Sequence, residues 1–219
     1  MVKLYFIRHG KTEWNLESRY QGAGGDSELL PSSYQEIEQL GEFLQNIKFE
    51  HIYASPIKRA KVTAEKLASY LSSEPPITYM QDLEEFHLGK MEGMRFTDVK
   101  KQFPDEFDNF RNHPDLYDNS AIGGENFNDV IQRMTPAIKD IVKNSTPDAN
   151  VIIVSHGAAL NAEINSLLGV PLSDLRKRGG LSNTSTTILE TINGGETFKL
   201  SLWNDVSYLK RTKDETDTI

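Results

Sequence analysis

The sequence predicts an α/β protein, a three-layer α/β/α sandwich with a mostly parallel central sheet and a small helical insertion at about residues 94–122. Three observations predict it. Short β-branched or aromatic runs alternate with segments of helical periodicity through most of the chain, the pattern of a parallel sheet with crossover helices. One run, Val151, Ile152, Ile153 and Val154, is wholly apolar, as in a strand buried on both faces. The 219 residues, 37% of them hydrophobic, suffice for one core of ordinary size, and no low-complexity stretch divides them. One domain is expected over residues 1–210, followed by a polar, frayed tail at 211–219.

The elements follow in order. Residues 2–7 form a β-branched and aromatic run that enters Arg8-His9-Gly10, a strand running into a turn. Apolar residues at Tyr34, Ile37, Leu40, Phe43, Leu44 and Ile47 mark a helix over about 32–46, with a serine as N-cap. Residues 51–54 read as a strand closed by Ser55-Pro56, and 57–71 as a helix that Pro75-Pro76 terminates. A short strand is expected at 77–80 and an irregular charged loop at 84–93. Short amphipathic pieces punctuated by Pro104 and Pro114 make 96–119 a helical insertion or cap. Residues 125–143 carry an amphipathic helical pattern despite Pro136, and 158–168 are helical after the apolar strand. Strands at 186–192 and 198–202 are joined by Asn193-Gly194-Gly195, a hairpin signal. Arg176-Lys177-Arg178 reads as a helix C-terminus with favourable charge and a glycine cap, with contact to a distal anionic group of a ligand as the lesser alternative.

Composition excludes several classes of function. With 32 acidic against 24 basic residues the chain carries a formal charge of −8, which disfavours a nucleic-acid surface and requires any anionic ligand to be held by a local basic pocket. There are no cysteines, hence no disulfide framework, thiolate metal site or cysteine nucleophile. No His and carboxylate cluster has ligand spacing, so neither a metal nor another cofactor is expected. The first apolar run is too short for a signal peptide and nothing approaches a membrane span, so a cytoplasmic protein without membrane contact is expected. Oligomeric state is left open.

Chemistry concentrates at strand ends. In open α/β sheets the ligand site lies beyond the carboxyl ends of the strands. Three predicted strands end in loaded turns: Arg8-His9-Gly10, Ser55-Pro56 with Arg59 close behind, and Ser155-His156-Gly157. Parallel neighbours would bring two histidines and two arginines into one pocket, with Gly10 and Gly157 allowing close approach to backbone N–H groups. A phosphoryl group fits, since guanidiniums offer bidentate contacts and one imidazole can stand in line with the scissile P–O bond. A lone histidine at a strand end is more often structural, but two His-Gly turns after two apolar strands favour a site. His51, His87 and His113 have no such setting and are read as ordinary. Neighbouring arginines would keep a nucleophilic imidazole neutral, and a carboxyl group should protonate the leaving oxygen.

These segments resemble the histidine phosphatase superfamily, whose members include cofactor-dependent phosphoglycerate mutases, and the resemblance runs from Leu4 to about Leu189. The run from Arg8-His9-Gly10 through Asn15 is similar to the family signature, and Arg19-Tyr20-Gln21-Gly22 to the loop after it. Ser55-Pro56 through Arg59-Ala60 resembles the segment with the second pocket arginine. The run from Leu83 to Gly89 resembles the proton-donor loop, where counting back from Gly89 selects Glu85. The resemblance implies a phosphoglycerate mutase-like fold, with His9 phosphorylated, Arg8, Arg59 and His156 holding the phosphoryl oxygens, and Glu85 as acid. It also implies Asn15, Gln21, Gly22 and Gly157 as substrate-binding positions. Glu28, Leu29, Leu30 and Ser33 depart from the usual family residues at the entry to the first long helix, and Asn126 stands where the phosphatase branch has serine. The mutases carry a long insertion after the donor loop. The short, mixed-charge stretch 94–122 resembles the phosphatase branch and is expected to leave the pocket open to water. The expected function is therefore metal-independent phosphomonoester hydrolysis on a small phosphorylated metabolite. A phosphoglycerate mutase is the alternative, and a non-catalytic phosphate-ligand binder a third reading.

Overall fold

The structure is a computed structural model and describes residues 1–212, 216 and 217. Its centre is a six-stranded mixed sheet of β1 (Val2–Arg8), β2 (His51–Ala54), β3 (Ile77–Tyr79), β4 (Asn150–Ser155), β5 (Thr186–Thr191) and β6 (Lys199–Asp205), in the order β3-β2-β4-β1-β5-β6. The first four are mutually parallel, while β5 and β6 close one side antiparallel. The expectation of a mostly parallel sheet therefore holds.

Strand periodicity sorts the core into two faces. Leu4, Phe6, Val151 and Ile153 pack on one side, while Tyr5, Ile7, Ile52, Ala54, Ile152 and Val154 pack on the other. The second face is covered by α2 (Pro31–Leu44) and α3 (Lys58–Ala68) through Ile37, Leu40, Ala60, Ala64 and Leu67. The first is covered by α6 (Phe127–Asn144) and α7 (Gly157–Leu167) through Val130, Met134, Ile138, Leu160 and Ile164. Each such fully buried aliphatic side chain contributes roughly 1.5–3 kcal/mol. Together they outweigh the loss of about 3 kcal/mol that Pro136 imposes inside α6. Asn126 caps α6 reciprocally with Asp129, a role a serine there could also fill.

The insertion is helical, with α4 (Phe96–Gln102), α5 (Pro104–Asn112) and a 3-10 turn at Pro114–Leu116. A one-turn helix, α1 (Glu13–Leu16), follows β1 and has no counterpart in the sequence reading. Its four residues are too few for periodicity to register.

Three expectations need correction. No serine caps α2: Leu30 occupies the N-cap without a side-chain bond, Pro31 starts the helix, and Ser33 lies inside it donating to Lys11 O at 2.7 Å. Proline supplies the fixed φ that a capping side chain would otherwise select. Arg176-Lys177-Arg178 does not close a helix but follows a single 3-10 turn, Leu172–Asp174. Finally, the tail is not a frayed appendage at its described end. Asp217 is 1% exposed, and its carboxylate accepts from Lys11 Nζ at 3.0 Å and from Arg211. Polar residues bury where a basic pocket offers partners, which composition alone does not reveal. Residues 213–215, 218 and 219 of that tail lie outside the described residues. No helix among the described residues is long and apolar enough to cross a membrane.

Candidate active site

The strand order explains why the three loaded turns meet. β4 lies between β1 and β2, with Arg8 paired to Ser155 and Ala54 to Val154. The ladder continues past the strands through His9 N to Ser155 O at 3.0 Å and Ser55 N to Val154 O at 3.0 Å. Arg8, His9, Arg59, Glu85 and His156 come together here, none more than 3% exposed.

Hydrogen bonding fixes the proton on His9. Its Nδ1 lies 2.7 Å from Gly10 O, an oxygen that can only accept, so Nδ1 carries the hydrogen. Nε2 is left with its lone pair, toward which Arg59 Nε donates at 3.3 Å. Burial first, then Arg59 and Arg8, hold the His9 pKa well below its usual value of 6.5, against the opposing bond to Gly10. The ring is neutral and its basic nitrogen faces the pocket.

His156 stands with its ring centre 5.2 Å from that of His9. Its Nε2 is 2.7 Å from Ser55 Oγ, while its Nδ1 is buried with no partner. Burial, followed by Arg59, His9 and Arg8, keeps this ring neutral too. The Ser55 hydroxyl can donate to or accept from Nε2, and the tautomer in which it donates offers Nδ1–H to a ligand. Arg8 is anchored by Nη1 to Leu181 O and Asp217 O, both at 2.6 Å, and its Nε and Nη2 have no partner. Burial lowers its pKa to about 10 and Glu85 opposes that shift, so the guanidinium stays charged near neutral pH. A Cβ on Gly157 would lie 2.9 Å from Arg8 Nε, so glycine there makes room for the guanidinium.

Arg59 reaches in from the first turn of α3. Its Nη1 donates to Gly25 O at 2.9 Å and Asp26 Oδ1 at 3.1 Å, and its Nη2 to Gly22 O at 3.0 Å. This ties the 21–26 loop to the site. Glu85 lies on the first turn of α7, with Oε2 accepting from Ala158 N at 3.0 Å and Oε1 from Ala159 N at 2.7 Å. A helix N-terminus suits a carboxyl group at this position.

The other expected positions line this region while serving the protein. Asn15 Oδ1 accepts from Thr12 N at 3.1 Å and Thr12 Oγ1 at 3.0 Å in the capping box of α1. Gln21 Oε1 accepts from Thr12 Oγ1 at 2.8 Å, and its Nε2 donates to Asp26 at 3.2 Å. Gly22 N donates to Glu92 Oε2 at 3.0 Å, and a Cβ there would fall 2.4 Å from Phe86 O, so no other residue fits this crossing. His51, His87 and His113 stay outside.

The sequence reading missed the residues that hold this geometry. Arg133 of α6 donates to the carbonyls of Asp82 at 2.7 Å, Glu84 at 3.0 Å and Glu85 at 3.0 Å, and pairs with Glu125 at 2.7 Å. Glu92 bonds Gly22 N, Gly24 N and Leu88 N, joining two loops. Asn183 Nδ2 donates to His9 O at 3.1 Å. Their partners are backbone atoms distant in sequence, so only the fold reveals them. Among the described residues the site is covered, where the short insertion was expected to leave it open. His9 is 3% exposed and His156 fully covered, with Asp217 seated beside Arg8 where Asn183 N also meets its carbonyl at 3.3 Å.

Fold and site together define an α/β protein with a buried basic pocket at its strand ends, and the chain belongs to the histidine phosphatase superfamily (branch 1), whose model matches residues 4–206. Its relatives include phosphoglycerate mutase-like protein 4 of Arabidopsis thaliana, 30% identical over 96% of this chain and 88% of that protein. The uncharacterized phosphatase PhoE of Bacillus subtilis is 31% identical over 77% and 79%. Among solved structures, Bacillus stearothermophilus YhfR superposes with a TM-score of 0.87 at 35% identity, covering 95% of this chain and 99% of that one. A mycobacterial glucosyl-3-phosphoglycerate phosphatase in complex with VO3 gives 0.82 at 28%, covering 92% and 98%.

Proposed function

We propose that the protein is a metal-independent phosphomonoester hydrolase of small metabolites that works through a phosphohistidine on His9. The observation that carries this reading is the His9 tautomer, with Nδ1–H held by Gly10 O and the Nε2 lone pair facing Arg59. Nε2 attacks phosphorus while the bond to the leaving oxygen breaks in line, and Glu85 gives that oxygen its proton. Arg8 Nε and Nη2, Arg59 and His156 Nδ1 take the phosphoryl oxygens. Water then attacks the phosphohistidine, Glu85 takes its proton, and inorganic phosphate leaves with His9 restored. Two guanidiniums supply the positive charge that a metal gives other phosphatases.

Gly22, Gly157, Asn15 and Gln21 shape the walls around the ester, and relatives named as phosphatases support water as the acceptor. The test uses p-nitrophenyl phosphate. The protein is expected to release phosphate from it equally with and without a chelator, and His9→Ala to lose the activity entirely. Hydrolysis surviving that substitution would end the assignment.

A further inference from the structure

His9 and His156 stand with ring centres 5.2 Å apart, yet they are held by opposite nitrogens. His9 is bonded through Nδ1 and keeps the Nε2 lone pair for the pocket, whereas His156 is bonded through Nε2 and keeps a buried Nδ1 without a partner. Burial first, then Arg59, keeps the His156 ring neutral, so a single hydrogen must sit on one of its two nitrogens. Its place decides whether a ligand meets a donor or a lone pair.

Ser55 settles that place by its own bonding. It follows β2, whose Ala54 is paired to Val154 of β4, and its N donates to Val154 O at 3.0 Å, so its side chain arrives beside the turn that carries His156. Ser55 is fully buried, and among the described residues its Oγ has two hydrogen-bond partners. One is Ile57 N, which donates at 3.3 Å in the turn where a serine oxygen accepts from the amide two residues on. Pro56 between them has no N–H to offer. The other is His156 Nε2 at 2.7 Å. An amide N–H only donates, which leaves Nε2 as the acceptor for the Ser55 hydroxyl hydrogen. If His156 donated instead, Ser55 Oγ would accept twice, and two groups would be buried unpaired: the hydroxyl hydrogen and the Nδ1 lone pair. With serine donating, Nδ1–H alone waits for a partner.

A phosphoryl oxygen is the partner such a donor fits, and a lone pair in its place would repel that oxygen. We propose that Ser55 is a positioning residue, whose hydroxyl donates to His156 Nε2 and thereby sets Nδ1–H to meet the phosphoryl group. The proposal rests on the hydrolase reading above and assigns the two imidazoles opposite tasks. His9 offers a lone pair to phosphorus, and His156 offers a hydrogen to one of its oxygens. Through Ile57, the N-cap of α3, the same serine oxygen also ties His156 to the helix that delivers Arg59.

Heteronuclear NMR of the full chain with isotopically labelled histidine side chains reads the tautomer directly, the His156 signals being identified by their loss in His156→Gln. Wild type is expected to carry the His156 hydrogen on Nδ1, and inorganic phosphate to shift the signal of that nitrogen. Ser55→Ala should let the hydrogen move to Nε2, lower kcat/KM for p-nitrophenyl phosphate about tenfold or more, and weaken inhibition by inorganic phosphate in step. A wild-type hydrogen on Nε2, or an Nδ1 signal that ignores saturating phosphate, overturns the proposal. So does a folded Ser55→Ala protein that keeps the hydrogen on Nδ1, since serine then only supports the fold. If Ser55→Ala does not fold, the wild-type tautomer and its response to phosphate decide. Any of these failures beside intact His9-dependent hydrolysis of p-nitrophenyl phosphate sinks this proposal alone. Absence of that hydrolysis sinks the underlying reading and this proposal with it.

Discussion

At the scale of the residue, the proposed chemistry turns on His9 staying neutral between two arginines. Because burial, Arg59 and Arg8 all disfavour its protonation, Nε2 remains available well below pH 6.5. The kcat/KM profile for p-nitrophenyl phosphate should therefore lack an acidic limb at about 6.5, and a limb there would show an ordinary, solvated imidazole. Stability carries the opposite consequence. His9 and His156 bind a proton in the unfolded chain below their usual value and resist it in the fold. Their contribution is thus complete above pH 6.5 and is lost as pH falls below it. The five residues expected at the centre of the site were legible in sequence because two His-Gly turns, Arg59 and Glu85 sit in recognisable segments. Asn15 and Gln21 were legible as positions but not as conformers, since their amide oxygens face Thr12.

At the scale of the element, periodicity located every strand and every long helix, because apolar spacing is a local property. It could not register the one-turn α1, nor the packing of Asp217 beside Arg8, whose cause is a partner distant in the chain. Arg133 is the same kind of case. On α6 it looks like a solvated polar-face residue, yet it holds three carbonyls, of Asp82, Glu84 and Glu85, in the segment that carries Glu85. Arg133→Met should free that loop and lower kcat for alkyl phosphates on the order of tenfold or more, within the range a general acid supplies. The loss should be smaller for p-nitrophenyl phosphate, whose leaving group needs little protonation. Equal losses on both substrates would mean that Arg133 only stabilises the fold.

At the scale of the whole molecule, one buried acid sets a pH dependence of its own. Glu163 on α7 is fully buried with Thr135 of α6 as its hydrogen-bond partner at 3.0 Å, and burial raises its pKa from 4.5 to about 8. The fold therefore holds a proton that the unfolded chain releases between those values. Stability falls as pH rises through that window, by up to about 1.4 kcal/mol per pH unit, and levels off above pH 8. Glu163→Gln should flatten the decline of Tm between pH 6.5 and 8, above the window in which His9 and His156 act, and an unchanged slope there would show that the carboxyl is not protonated in the fold. The sheet, its two helical layers and the strand-end site all bear on one proposed chemical event, transfer of a phosphoryl group to His9 Nε2. Rapid mixing with p-nitrophenyl phosphate, an alkaline quench that preserves phosphohistidine, and mass spectrometry of the digested chain observe it directly. A transient phosphoryl adduct on the peptide containing His9, absent from His9→Ala, is the expected result. Turnover with no adduct, or with the adduct on another residue, would contradict it.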